Sequence, residues 1–333
     1  VPDSYRLFGI ELSPYSVKVR SYLRYKTIPH EWIVRDQNTM PEYQKYAKIP
    51  IVPLLVTPDQ KGVQDSTPIM EMLEARYPDP SIHPDDPTAA FVSALLEEFG
   101  DEWGNKWMFH YRWAREVDQR SAADRLVSAM MPGLAGAQKE EMVAGLIQRM
   151  LGRVWFVGSS EQTAPQIEDS FGESVELLET HLGSRPYLFG GRPAFGDFGL
   201  WGQIYNAWTD PTPHAILEER APAVVAWVHR MLEPKSEGPF ESWSALEPTL
   251  KPFLGRQVGR LFAPWTLANA ACLAAGDEEF SVELDGRTWT QKPQKYHAKS
   301  LAALREKYAP VSDRSELVNL MEETGCLAAL RPD

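Results

Sequence analysis

Between residues 5 and 76 the apolar residues alternate between runs of strand length and runs of helical period. That alternation constrains the chain more than any other feature, because a compact α/β unit is what buries both kinds of surface together. It predicts strands over 5–10, 30–34, 53–57 and 62–65, with helices over 14–26, 40–47 and 66–77. The stretch PDQKG, residues 58 to 62, joins two short strands through turn-forming residues and predicts a β-hairpin. The order is therefore β-α-β-α-β-β-α. The following YPDPSIHPDDPTA, residues 77 to 89, has four prolines and no apolar period, so it reads as a linker.

From residue 89 onward the period is helical, with expected helices over 88–117, 121–131, 137–152, 165–182, 195–208, 214–233 and 244–275. The tail changes character at EFSVELDGRTWTQKP, where Asp285-Gly286 between alternating segments signals a type I′ hairpin. A last helix is expected over 294–308.

A chain of 333 residues, 43% hydrophobic and 24% charged, is long enough for two or three domains. No run approaches the length of a membrane span, and the first residues lack the basic and apolar regions of a signal peptide. The expectation is a soluble, cytoplasmic protein. A net charge of −12 with scattered Lys and Arg opposes nucleic acid and anionic membranes as partners, leaving a small molecule or a second copy of the chain. Cys272 and Cys326 are too few for a disulfide framework and read as buried apolar residues. The seven histidines show no paired metal-ligand spacing, so no metal is expected. Neither G-x-S-x-G nor a phosphate-binding G-x-x-x-x-G-K occurs.

The chemistry gathers at SPYS, residues 13 to 16, where the first strand meets the first helix. Serines stand where a redox motif would carry cysteines. A helix start presents unsatisfied N–H groups and a partial positive charge, so an anion is stabilised there without a cationic side chain. If that anion is the thiolate of a bound thiol, a serine hydroxyl can donate to it, a bond to a charged group that contributes about 1.5–3 kcal/mol. Equally, Ser13 reads as the N-cap of helix 14–26 with Pro14 at its first position, and one hydroxyl can serve both roles.

Two further segments bear on the choice. IPIVPLLV, residues 49 to 56, puts Pro53 at the opening of a strand; a cis Val52-Pro53 bond would turn the Val52 backbone toward a peptide-like ligand, with Pro50 the competing cis candidate. QDSTPIMEMLEARYP puts Asp65 and Ser66 at a helix start, as an ordinary cap or as a pair able to hold an ammonium and a carboxylate.

In this order and spacing SPYSVKVR, VPLL and QDST resemble the N-terminal domain of the glutathione transferase family, and PYLFGGRPAFGDFGLWGQI with APAVVAWVHRM resembles its helical domain. The resemblance spans roughly residues 4 to 235. It implies an α/β N-terminal thioredoxin-like domain plus an all-α C-terminal domain: a glutathione-binding domain over 1–80, a helical substrate domain over 81–250 and a C-terminal extension over 251–333.

By the resemblance Ser13 would hydrogen-bond the glutathione thiolate, as in the serine-type classes. Val52 would pair through its backbone with the cysteinyl part, held by cis Pro53, and Asp65 with Ser66 would hold the γ-glutamyl end. Lys48 is either a partner for the glycine carboxylate or a solvated surface lysine. The tyrosine of other classes would fall near Phe8, which has no hydroxyl. The family's buried helix usually carries Ser or Thr where this chain has Ala194, so Ala194→Ser is expected to raise the melting temperature.

Phe99, Trp103, Trp107 and His110 or Tyr111 share one helical face, either a core stripe or the wall of a hydrophobic substrate pocket. Trp107 and Tyr111 are the candidate pocket residues, with Ile10 and Leu12 as the other wall. The function implied is a detoxifying transferase, a homodimer, that conjugates glutathione as co-substrate to a small hydrophobic electrophile. The alternatives are another glutathione-dependent reaction, such as isomerisation, ether cleavage or reduction, and a non-catalytic glutathione-binding protein. Reduction through an enzyme mixed disulfide needs a cysteine, which Ser13 is not.

Overall fold

The computed structural model describes residues 4–331. Its first elements are β1 (Tyr5–Gly9), α1 (Pro14–Tyr25), β2 (His30–Val34), α2 (Met40–Gln44), β3 (Leu54–Val56), β4 (Gly62–Gln64) and α3 (Ser66–Arg76), in the expected order. They form one sheet ordered β2-β1-β3-β4, with β1 parallel to β2 and antiparallel to β3, and β3 antiparallel to β4. Strand β1 is central, so successive side chains enter different cores. Leu7 packs with Val17, Ile69 and the helical region, whereas Phe8 packs with Tyr43, Leu54 and Val56.

The helical part comprises α4 (Pro87–Phe99), α5 (Asn105–Ala114), α6 (Glu116–Met130), α7 (Gly136–Leu151), α8 (Ala164–Leu182), α9 (Phe195–Trp208), α10 (Pro211–Arg220), α11 (Pro222–Arg230), α12 (Trp243–Phe253) and α13 (Ala263–Ala275). Several expected helices are divided. The one over 88–117 is broken by a π-helical turn, Gly100–Gly104, and ends where Arg115 turns extended. That over 214–233 divides at Pro222, which has no N–H to continue the ladder. That over 244–275 holds a π-helical stretch, Leu254–Phe262, lying between Pro252 and Pro264.

Buried helix α9 is the hub, packed against α1, α4 and α5. Close approach requires its glycines: a Cβ on Gly199 would come within 2.7 Å of the Glu97 backbone, and one on Gly202 within 2.8 Å of the Pro14 carbonyl. Ala194 at its start cannot cap, yet the turn is not left open. Ser93 Oγ on α4 accepts the Gly196 N–H at 2.9 Å, and Asp197 accepts the Ala194 N–H at 2.9 Å. The stabilisation expected from Ala194→Ser therefore loses its basis, because a side chain from another helix does the capping.

In the tail, β5 (Phe280–Leu284) and β6 (Arg287–Gln291) pair through Asp285 and Gly286, whose φ values of 49° and 75° are those a type I′ turn needs. Helix α14 (Lys295–Tyr308) follows as expected. Two short helices, α15 (Ser315–Glu323) and α16 (Leu327–Leu330), were not foreseen from the sequence. The tail is no appendage: Trp265, Trp289, Tyr308, Leu317 and Leu330 belong to the same apolar cluster as Leu7 and Trp103. Both cysteines are buried. Among the described residues no helix is long and apolar enough to cross a membrane.

Candidate functional site

Ser13 is the N-cap of α1, extended at φ −103°, with Pro14 next; its Oγ accepts the Ser16 N–H at 3.3 Å. Accepting that bond leaves the O–H able to donate. Within SPYS the other two hydroxyls point elsewhere. That of Ser16 is buried without a partner, and the Tyr15 hydroxyl donates to the Asp101 carbonyl at 3.0 Å. The loop leading to Ser13 is pinned to the helical part: Arg112 donates to the Leu12 carbonyl at 2.8 Å while its Nε bonds Asp210 at 2.8 Å. Such second-layer bonds fix the hydroxyl's position before any ligand arrives.

Ile10 and Leu12 lie in this loop and pack with Val52, Phe109, Trp113 and Val127, an apolar wall of α5, α6 and α7 beside the serine. Trp107 and Tyr111 face away from it. They are 1% and 3% exposed, the Trp107 indole donates to Ser170 at 2.9 Å, and the Tyr111 ring packs on Phe171. The core-stripe reading of that face therefore describes these two residues, and the neighbouring face of α5 supplies the wall.

The Val52-Pro53 bond is cis. Val52 N–H and C=O take no hydrogen bond among the described residues, so an extended ligand could pair with both. Gln64 holds the preceding loop: it accepts from the Lys48 N–H at 2.8 Å and donates to the carbonyls of Ile49 and Ile51 at 2.8 and 3.0 Å. Lys48 is exposed on this loop. Arg35, overlooked in the sequence, also reaches it, donating to the Pro50 carbonyl at 3.4 Å and leaving a buried Nε without a partner.

Asp65 precedes α3 in a left-handed conformation, φ 80°, that costs energy in a residue other than glycine. Its Oδ2 accepts the hydroxyl of Tyr296 at 2.6 Å. Ser66 is 1% exposed, with its hydroxyl turned inward toward Lys18 at 3.4 Å. Its backbone N–H, at the first turn of α3, is what it can offer a ligand. Lys18 is itself buried between Glu97 and Asp101 at 2.5 and 2.6 Å. Although burial disfavours its charge, the two carboxyls raise its pKa. Burial pushes Asp101 up to about 8, whereas Lys18 draws Glu97 below the usual range against the effect of its burial. Glu97 is thus the charged partner at neutral pH.

Among the described residues no group of three or more His, Cys, Asp or Glu is placed to hold a metal ion. What the site can hold is an anion at Ser13, a peptide edge at Val52 and an ammonium at Asp65.

Two family models match the chain: the glutathione S-transferase N-terminal domain over residues 7–81 and the glutathione S-transferase C-terminal domain over residues 161–230. Together they support membership of that family. Among solved structures, a glutathione S-transferase from Methylobacterium radiotolerans in complex with glutathione sulfonate is 20% identical, with 72% of this chain and 96% of that one covered and a TM-score of 0.41. The beta-etherase LigF from Sphingobium sp. strain SYK-6 is 22% identical over 68% and 94% of the two chains, with a TM-score of 0.48. FzlA from C. crescentus is 17% identical over 68% and 87%, with a TM-score of 0.43.

Proposed function

We propose that this chain, which carries both the N-terminal and the C-terminal domain of the glutathione S-transferase family, conjugates the thiolate of glutathione to a small apolar electrophile. The observation that carries the reading is the placement of Ser13. Its hydroxyl stands at the N-terminus of α1, held by a pinned loop and bordered by the apolar wall of Ile10, Leu12 and Phe109. There the hydroxyl would donate to the sulfur, and the N–H groups and dipole of the helix would favour its charge. The cysteinyl peptide would pair with Val52, the γ-glutamyl ammonium would meet Asp65, and the glycine carboxylate would meet Lys48 or Arg35. The electrophile would lie against the apolar wall.

The test is glutathione-dependent turnover of an aromatic halide, an epoxide and an aryl ether, followed by loss of free thiol. Conversion of the halide or epoxide that falls by about 10²-fold in Ser13→Ala supports conjugation at this site, an effect the size of a lost oxyanion-type donor. Cleavage of the ether alone, or turnover indifferent to Ser13, overturns it.

A further inference from the structure

Tyr296 stands in the first turn of α14, in a tail that neither matched family segment includes. Its hydroxyl donates to Asp65 Oδ2 at 2.6 Å across 231 residues of sequence. Burial does not hold it there, since 51% of the residue is exposed. The helix does: His297 bonds Glu102, Ser300 donates to Glu98, and Lys307 Nζ lies 2.7 Å from Glu71. A half-exposed tyrosine at the end of so firmly anchored a helix, with its polar atom committed to a site carboxylate, has little to offer the core.

Behind the pair lies a cavity of about 600 Å³ between α3, the π-helical turn after α4, and α14. Six carboxyl side chains line it against two lysines, Lys299 and Lys307. One of the six, Asp101, is 6% exposed and has an Oδ1 with no hydrogen-bond partner. The wall therefore offers acceptor oxygens, Asp65 foremost at its mouth, to a group that arrives with donors. A carboxylate has about four acceptor positions, so Asp65 can keep the Tyr296 bond and still receive an ammonium.

Resting on the reading of the site as a glutathione site, we propose that the tail completes it. Tyr296 is a positioning residue that fixes the Asp65 carboxylate, and the two together make the site selective for a γ-glutamyl ligand with a free ammonium. An N-acylated ligand loses the charge and two N–H donors, and leaves the Asp65 carboxylate without the partner it is oriented to receive.

Calorimetric titration of the full chain with glutathione and with N-acetylglutathione tests this, on wild type and Tyr296→Phe. Wild type is expected to favour the free amine by about tenfold or more, the scale of one hydrogen bond to a charged group. In Tyr296→Phe, glutathione affinity falls several-fold, N-acetylglutathione affinity is unchanged, and the melting temperature stays put. A loss shared by both ligands would signal a merely structural role and overturn the proposal. So would an unchanged preference in Tyr296→Phe, tighter glutathione binding, or a wild type that binds both ligands alike. A wild type that binds neither ligand removes the glutathione reading itself, and this proposal with it.

Discussion

Lys18 on α1 holds Asp101 at 2.6 Å across 83 residues of sequence, and the contact joins the sheet domain to the turn between α4 and α5. Lys18 also bonds Glu97 at 2.5 Å, with side chains 1% and 2% exposed. Removing the amine takes away the cation in contact with buried Glu97 and leaves it the Thr67 hydroxyl alone as a donor among the described residues. Lys18→Met should lower the unfolding free energy in urea by about 3–5 kcal/mol. A loss below about 1 kcal/mol would mean that the carboxylates find another partner or share a proton.

Ser93 caps a helix that begins 102 residues later, through Gly196 at 2.9 Å. Ser93→Ala should therefore cost about 0.5–2 kcal/mol, seen as a lowered melting temperature. Ala194→Ser should bring no gain, because residue 194 is fully buried and the N–H it would serve is already bonded. A stabilised Ala194→Ser would show that the Ser93 cap is too weak to matter.

Stability should fall as pH rises from about 6.5 to 8. Burial pushes Asp101 and Glu102 up to about 8 and Asp197 up to about 7, and raises Glu98 well above its usual range. In this window the unfolded chain has already lost these protons, whereas the folded chain gives them up only as pH passes each raised pKa. The stability this confers is full at low pH and lost as pH climbs through the folded pKa. Below about 6.5 the buried histidines His110, His181 and His297, with the half-buried His30, work the other way, because burial lowers their pKa and the unfolded chain takes up the protons. Above 7 Lys106, pushed down to about 7 by burial, also opposes, but it is one group against the carboxyls. Melts at pH 6.5 and 8 should give the lower temperature at pH 8; the reverse order would contradict these protonation states.

The sheet domain was legible because strand and helix periods differ sharply there and PDQKG carries turn chemistry, as Asp285-Gly286 does for the hairpin of the tail. Prolines inside apolar runs marked Pro222 poorly: a continuous helical period on both sides hid the break. The stripe of Phe99, Trp103, Trp107 and Tyr111 announced burial, since periodicity reports that a face is covered without naming what covers it. Its neighbours Phe109 and Trp113 look no different in sequence, yet they face the serine loop. Arg35, Gln64 and Tyr296 were invisible for a plainer reason. Their meaning lies in partners brought close by the fold, and no local pattern encodes a contact such as Tyr296 with Asp65.

If Ser13 holds a bound sulfur as thiolate, the most direct measurement is the pKa of the glutathione thiol bound to the protein, titrated by thiolate absorbance in wild type and Ser13→Ala. One hydrogen bond to the charged sulfur together with the helix terminus should lower the wild-type value by about one to three units from about 8.5. Ser13→Ala should return most of that shift while glutathione still binds. A bound thiol that titrates like the free one in wild type, or a shift that survives the loss of Ser13, would contradict it.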